Sequence, residues 1–211
     1  MNLSITLIII ILTVIVSFSA NSRSELYNKL LFNPFQVFHR NEWYRIFTHG
    51  LIHDRNNIFH LVFNMYVFYS FGDTLESILI SWSNELGFLY FLLIYIGGMV
   101  FATIPGLIKH RDNYNYNSVG ASGAVSAVLF ATIAFVPFNG GIGILFIPIS
   151  IPPLVFGILY LIYEIYMQKR GGTNIAHDAH IWGALFGFLF TLIFVPGAFF
   201  NFLGQLLALF N

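Results

Sequence analysis

The chain has 211 residues, 57% of them hydrophobic and only 9% charged, against roughly 25% charged in a water-soluble domain. Its formal net charge of zero removes an electrostatic case for nucleic-acid binding, and the absence of cysteine excludes disulfides, thiolate metal sites and a cysteine nucleophile. What remains is an all-α membrane protein, and six apolar segments predict one six-transmembrane-helix bundle as a single domain over residues 1–211, with no separate soluble domain.

Residues 3–20, in "MNLSITLIIIILTVIVSFSA", form the first predicted span. A signal peptide would carry a basic start and an apolar run of only about 7–15 residues. The stretch lacks the first and exceeds the second, and about 20 residues cross a hydrocarbon core. Residues 21–57 form a long mixed loop, in which "FQVFHRNEWYRIFTHGLIH" sets aromatic rings among basic residues. That mixture predicts interfacial structure with aromatic anchors. Within it "HGLIH", His49 to His53, has the spacing of a zinc-protease helix. Gly50 stands where the acid is required, which rejects that reading.

Further spans are predicted at residues 58–80, 86–108, 119–138, 152–167 and 180–203. Between the fourth and fifth, Pro148, Pro152 and Pro153 argue against a continuous helix over residues 140–151, and Pro152 suits the first turn of the next one. Gly171 and Gly172, in "KRGGTNIAHD", predict a flexible link before the last span. From Ser122 to Pro137 is about 16 residues, or roughly 24 Å of helix, against a hydrocarbon core of about 30 Å. Ser122 is therefore expected below the membrane surface. The polar loop before it, "RDNYNYNS", must line a protein-walled or water-filled cavity.

Polar groups inside spans are costly and point to function. His60 and Asn64 are four apart and share a helix face. Ser122 lies in "GASGA", and His180 shares a face with Gly183 and Gly187. Gly183 and Gly187 form a Gly-x-x-x-Gly pattern, and Gly123 with Ala127 a small-x-x-x-small one; both allow close helix approach. Packing through these faces would bring the Ser122 hydroxyl within reach of a His180 ring nitrogen, the base that a serine needs to become a nucleophile. Taken singly, each feature has a structural explanation: small residues pack helices, and His60 and Asn64 can join them. Paired membrane histidines, among seven in the chain, also suit a haem-binding or transport protein.

In order along the chain, "WYRIFTHGLIH", His60-Leu-Val-Phe-Asn64, "FGDTLE", Gly120-Ala-Ser122-Gly123 and "AHIWGALFG" resemble the rhomboid family of intramembrane serine proteases. The resemblance covers the chain from Trp43 to Gly187, and the ordered set is far more specific than any one motif. It implies a six-helix bundle with a catalytic dyad: Ser122 as nucleophile and His180 as general base. His60 and Asn64, with the backbone N–H of Ser122, would stabilise the oxyanion, and no cofactor or metal is implied. Gly120, Gly123, Gly183 and Gly187 are expected to pack helices. Trp43 and Arg45 are expected to pin the loop near the membrane surface, and Glu76 to cap or pair polar groups near the end of the second span.

Two departures stand out. No carboxylate is obviously placed to orient His180, because Asp178, two residues away, lies on a different face. Rhomboids often stack an aromatic residue, four positions after the nucleophile, on the base; this chain has Ser126 there. Either Ser126 bonds the imidazole or another aromatic fills the gap.

The resemblance further implies cleavage of transmembrane segments of other proteins within the lipid bilayer. The substrate would unwind and pair in extended form with the loop before Ser122. It also suggests a multi-pass protein of a bacterial cell (inner) membrane. All nine basic residues, Arg23, Lys29, Arg40, Arg45, Arg55, Lys109, Arg111, Lys169 and Arg170, fall on one side of the predicted bundle. The positive-inside rule places that side in the cytoplasm, opposite to the usual bacterial rhomboid arrangement. A protease-inactive rhomboid-like protein that binds membrane helices is the alternative; such proteins usually lose the serine or histidine retained here.

Overall fold

A computed structural model describes residues 4–144, 147–172 and 175–210. Leu3, the first residue of the first predicted span, lies outside the described residues. Ten α-helices and one two-stranded hairpin are found among them.

Helix α1, Ile5–Asn21, is capped twice. Ser4 accepts from the Leu7 amide. Glu76, on α5 (Ile58–Ser83), accepts from the Ile5 amide at 2.8 Å and the Thr6 amide at 3.0 Å. The Ser4 and Thr6 hydroxyls also donate to Glu76, each at 2.8 Å. A buried carboxylate thus satisfies the open amides of a helix N-terminus and complements its dipole. Glu76→Ala will strand these buried donors, each at about 1–3 kcal/mol. The thermal midpoint of the detergent-solubilised protein will fall by several degrees, and a smaller fall for Glu76→Gln will show that one acceptor survives.

The predicted loop holds three short helices, α2 (Ser24–Leu30), α3 (Pro34–Arg40) and α4 (Arg45–Thr48), followed by a 3-10 turn at His49–Leu51. Pro34 opens α3, Asn33 caps it by accepting from the Gln36 amide, and Asn41 closes it in the left-handed region at φ 58°.

Helices α6 (Leu86–Lys109) and α9 (His177–Phe194) are long and apolar enough to cross a membrane by length and composition. Helix α7, Ser122–Phe135, is the centre of the molecule, buried from Gly123 to Phe135. It ends at Phe135 because Val136, before Pro137, is disfavoured in helix, and it starts after Gly120 at φ 117°, so it is shorter than the predicted 119–138. Strands β1 (Ile142–Ile144) and β2 (Ile147–Ile151) form an antiparallel hairpin in the proline-bearing stretch, with Ile142 opposite Ile151. Helix α8, Pro153–Arg170, begins just after Pro152.

The span predicted at 180–203 is corrected. It is two helices, α9 ending at Phe194 and α10 spanning Ala198–Leu207, because Pro196 and Gly197 break the run. Gly197 sits at φ 80°, and the Trp82 indole donates to the Pro196 carbonyl at 2.8 Å.

Glycine decides how close α7 approaches its neighbours. A Cβ on Gly183 would lie 2.1 Å from the Gly123 carbonyl oxygen, and one on Gly187 would lie 2.0 Å from that of Ala127. On the other side, a Cβ on Gly98 of α6 would meet the Ala127 methyl at 2.3 Å. The glycines therefore let α9 press on α7 backbone to backbone and seat α6 against the Ala127 methyl. Outside, Ile8, Ile11, Phe59, Phe63, Ile193 and Phe194 are exposed, a surface composed for lipid.

Candidate active site

The floor of the site is set by the loop before α7. Asn33, besides capping α3, donates through its amide to the Tyr114 carbonyl at 2.9 Å and to Asn117 at 3.0 Å. Phe32 and Ser118 exchange both backbone hydrogen bonds at 3.0 Å. The Gly120 amide donates to the His49 carbonyl at 3.0 Å, and Gly120 itself sits at φ 117°, where other residues are strained. Arg45 is buried and holds the outer loop from beneath. Its Nε donates to Glu42 at 2.6 Å, and its Nη1 donates to the Asn28 and Leu31 carbonyls at 2.8 and 2.7 Å. Trp43 stays half-exposed, edge-on to Phe38.

The two histidines of "HGLIH" bind no common atom. His49 Nδ1 faces the Arg45 carbonyl at 3.0 Å. The Ser17 hydroxyl donates to the Leu51 carbonyl, so it can only accept from His53 Nδ1–H at 3.1 Å. His53 Nε2 then accepts from the Ala121 amide at 3.4 Å. Burial pushes His49 down to about 4 and His53 down to about 3, so both rings are neutral at neutral pH. The His49 carbonyl and the His53 ring thus hold the backbone at Gly120 and Ala121, a role that sequence reasoning missed.

Ser122 opens α7, and no side chain caps that helix. The first-turn amides beside the hydroxyl therefore carry unbalanced positive charge. Helix α9, seated on α7 through Gly183, brings His180 Nε2 to 2.8 Å from Ser122 Oγ. A hydroxyl at that distance from an imidazole can pass its proton to the ring.

His60 lies on the other flank. Its ring atoms would be 2.9 and 3.0 Å from a Cβ on Gly120, and it stands edge-on to His53. Asn64 is buried, and its amide donates back to the His60 carbonyl at 2.8 Å rather than toward Ser122.

The expectation that no carboxylate is placed to orient His180 is corrected. Glu164 of α8, buried, receives His180 Nδ1 at 3.1 Å on one carboxylate oxygen and His177 Nδ1 at 2.6 Å on the other. The signal was present: Glu164 is an acid inside a predicted span, the kind of residue that marks function. Asp178 instead pairs with Lys109 at 2.7 Å. Ser126 does not bond the imidazole; its hydroxyl meets the Tyr160 hydroxyl at 2.8 Å, one turn before Glu164 on α8. The ring edge-on to His180 is His177, 6.2 Å between centroids.

Glu164, His177 and His180 offer donor atoms within 4.8 Å of one another. Zinc bonds of about 2.0–2.2 Å in tetrahedral array keep ligand atoms more than 3 Å apart. The 2.6 Å between His177 and Glu164 is a hydrogen-bond distance, so these groups would have to spread to admit an ion. A cleft of about 230 Å³ opens beside them, lined by His110, Tyr116, Met167, Ile175, His177 and Asp178.

Residues 40–197, well over half of the chain, match the sequence profile of the Rhomboid domain. The chain is 30% identical over 137 residues to presenilin-associated rhomboid-like protein, mitochondrial, of Bos taurus, covering 62% of this chain and 33% of that protein. It is 29% identical over 137 residues to the Homo sapiens protein of that name, with the same coverage of 62% and 33%. Against RHOMBOID-like protein 12, mitochondrial, of Arabidopsis thaliana, it is 28% identical over 143 residues, covering 61% of this chain and 40% of that protein. The chain thus spans about a third of the length of the presenilin-associated relatives. These relatives are mitochondrial by name, which overturns the expectation of a bacterial cell membrane. That expectation came with the resemblance alone; no residue of the chain encoded a compartment, and the one-sided basic residues stood against the bacterial arrangement. From Arg40 to Gly197 the residues follow one family's profile, and the chain belongs to the rhomboid family.

Proposed function

We propose that the chain is a serine endopeptidase of a mitochondrial membrane, cutting transmembrane segments of other membrane proteins inside the bilayer. Residues 1–211 act as one rhomboid-type domain, with α1, α5, α6, α7, α8 and α9 as its six spans. Ser122 is the nucleophile and His180 the general base. The observation that carries the reading is the 2.8 Å contact between Ser122 Oγ and His180 Nε2, at the uncapped start of a short buried helix.

In this reading Ser122 Oγ attacks a peptide carbonyl carbon while its proton passes to Nε2. The oxyanion that forms meets the Ser122 amide, His60 and Asn64, once the Asn64 amide has turned from its own helix. Removing one such donor typically costs about 10²–10³ in rate. His180 then returns the proton to the leaving amine, and water releases the acyl group by the same route. A substrate helix must open first, because helical hydrogen bonds hide its carbonyls. The loop before Ser122 suits an extended guest. Ser118 and Gly120 turn their backbone bonds toward Phe32 and His49, and strand alternation directs Asn117 and Val119 the other way.

A fluorophosphonate probe applied to detergent-solubilised protein tests the reading. Wild type will be labelled, and Ser122→Ala and His180→Ala will not. A folded wild type that takes no label would leave the helix-binding, protease-inactive reading in its place.

A further inference from the structure

Glu164 is a charged group deep in the protein with no part in a two-residue mechanism. It stands on α8, whereas its partners stand one turn apart on α9: His180 Nδ1 at 3.1 Å and His177 Nδ1 at 2.6 Å. The side chains of Glu164 and His177 are 6% and 3% exposed, so water does not compete for these bonds. A carboxylate only accepts hydrogen bonds. Both rings therefore present Nδ1–H to it, and His180 is left with a lone pair on Nε2, the atom that faces Ser122 Oγ.

We propose that Glu164, clamped by His177, is the third member of the site. It is a positioning residue that fixes the His180 tautomer and ring plane and offsets the imidazolium that forms during attack. The proposal rests on the serine-protease reading above and deepens it. The Ser122 proton moves to Nε2, Oγ bonds to the carbonyl carbon, and the carbonyl electron pair moves to oxygen. His180 becomes positive while Glu164 stays a carboxylate, so the new charge forms beside its counter-ion.

His177 contributes separately. A buried carboxylate bonded through one oxygen leaves the other unpaired, which is costly away from water, and free to rotate. The His177 bond satisfies that second oxygen. One turn earlier on the same face of α8, Tyr160 meets Ser126 of α7 at 2.8 Å. Helix α8 therefore carries two polar rungs, one to α7 and one to α9, across the place where a stacked aromatic was expected.

Rates of fluorophosphonate inactivation of the full chain in detergent test this. Glu164→Gln keeps the shape but turns an amide N–H or a weaker acceptor toward Nδ1. The maximal inactivation rate will fall by about 10²–10⁴, the range spanned by general-base catalysis and by loss of the tautomer-fixing acid in a triad. The concentration for half-maximal rate will not change, because Glu164 does not touch the probe. Glu164→Asp will recover part of the rate, and Asp178→Asn, which removes the acid paired with Lys109, will react like wild type. Wild type labelled with 15N-histidine will show downfield imidazole N–H protons that His180→Ala diminishes. Equal rates for a folded Glu164→Gln, or no downfield signal in wild type, would overturn the proposal. So would loss of activity on chelation with recovery on adding zinc, which would make the cluster a metal site. Absence of labelling in wild type would instead sink the protease reading itself.

Discussion

Ser122→Ala and His180→Ala will each slow cleavage of a transmembrane substrate by on the order of 10⁶, and the double variant will be no slower than either single one. The two side chains form one device. Without the imidazole, Ser122 keeps its proton and is a weak nucleophile; without Oγ, the imidazole has no proton to take. Their effects cannot add, because each loss already removes the 2.8 Å transfer path. The residual rate will belong to the uncapped start of α7 and to substrate binding, which neither variant touches. Gel-based cleavage of a reconstituted substrate in proteoliposomes measures all three variants. If the double variant were slower by the product of the single effects, the residues would act independently and the proposed chemistry would be wrong.

Gly187→Val will prevent the folded protein from accumulating, and Gly183→Val will do the same. Their Cβ atoms would sit 2.0 and 2.1 Å from carbonyl oxygens of α7. No flexible side chain can move aside there, so two helix backbones must part. That exceeds ordinary overpacking of about 1–3 kcal/mol, and it separates the helices that carry Ser122 and His180. The yield of monodisperse detergent-solubilised protein, with fluorophosphonate labelling as a second readout, will register both losses, and thermal unfolding followed by tryptophan fluorescence will compare whatever folds. Gly204→Ala is the control. Nothing lies within 4 Å of a Cβ on Gly204 in α10, and alanine there will raise stability by up to about 1 kcal/mol. A stable, active Gly187→Val protein would mean that α7 and α9 are not pressed together through this face.

The α7–α9 pairing could be read from the chain because it rests on local periodicity. Small residues four apart announce a close helix face by their spacing alone, and Ser122 and His180 lie at the ends of those faces. Glu164 was harder to read. Its partners stand 13 and 16 residues away on another helix, and it sits beside "MQKR", where it resembles a charge at a membrane surface. Only the fold of α8 against α9 turns it inward. The split of the last predicted span is a different kind of miss. Pro196 and Gly197 are strong breakers, but flanking phenylalanines and leucines keep the run apolar, so hydropathy hides the turn. The short helices of residues 21–57 owe their arrangement to Arg45 and Asn33, single side chains bonded to distant backbone, and no periodic pattern marks such bonds.

The bond that finishes α1 comes from Glu76, some 70 residues later in the chain. The first turn of α1 therefore waits during synthesis for the far half of α5. A nascent chain halted before Glu76 will hold α1 with an open end, able to enter the membrane but not yet docked in its final place.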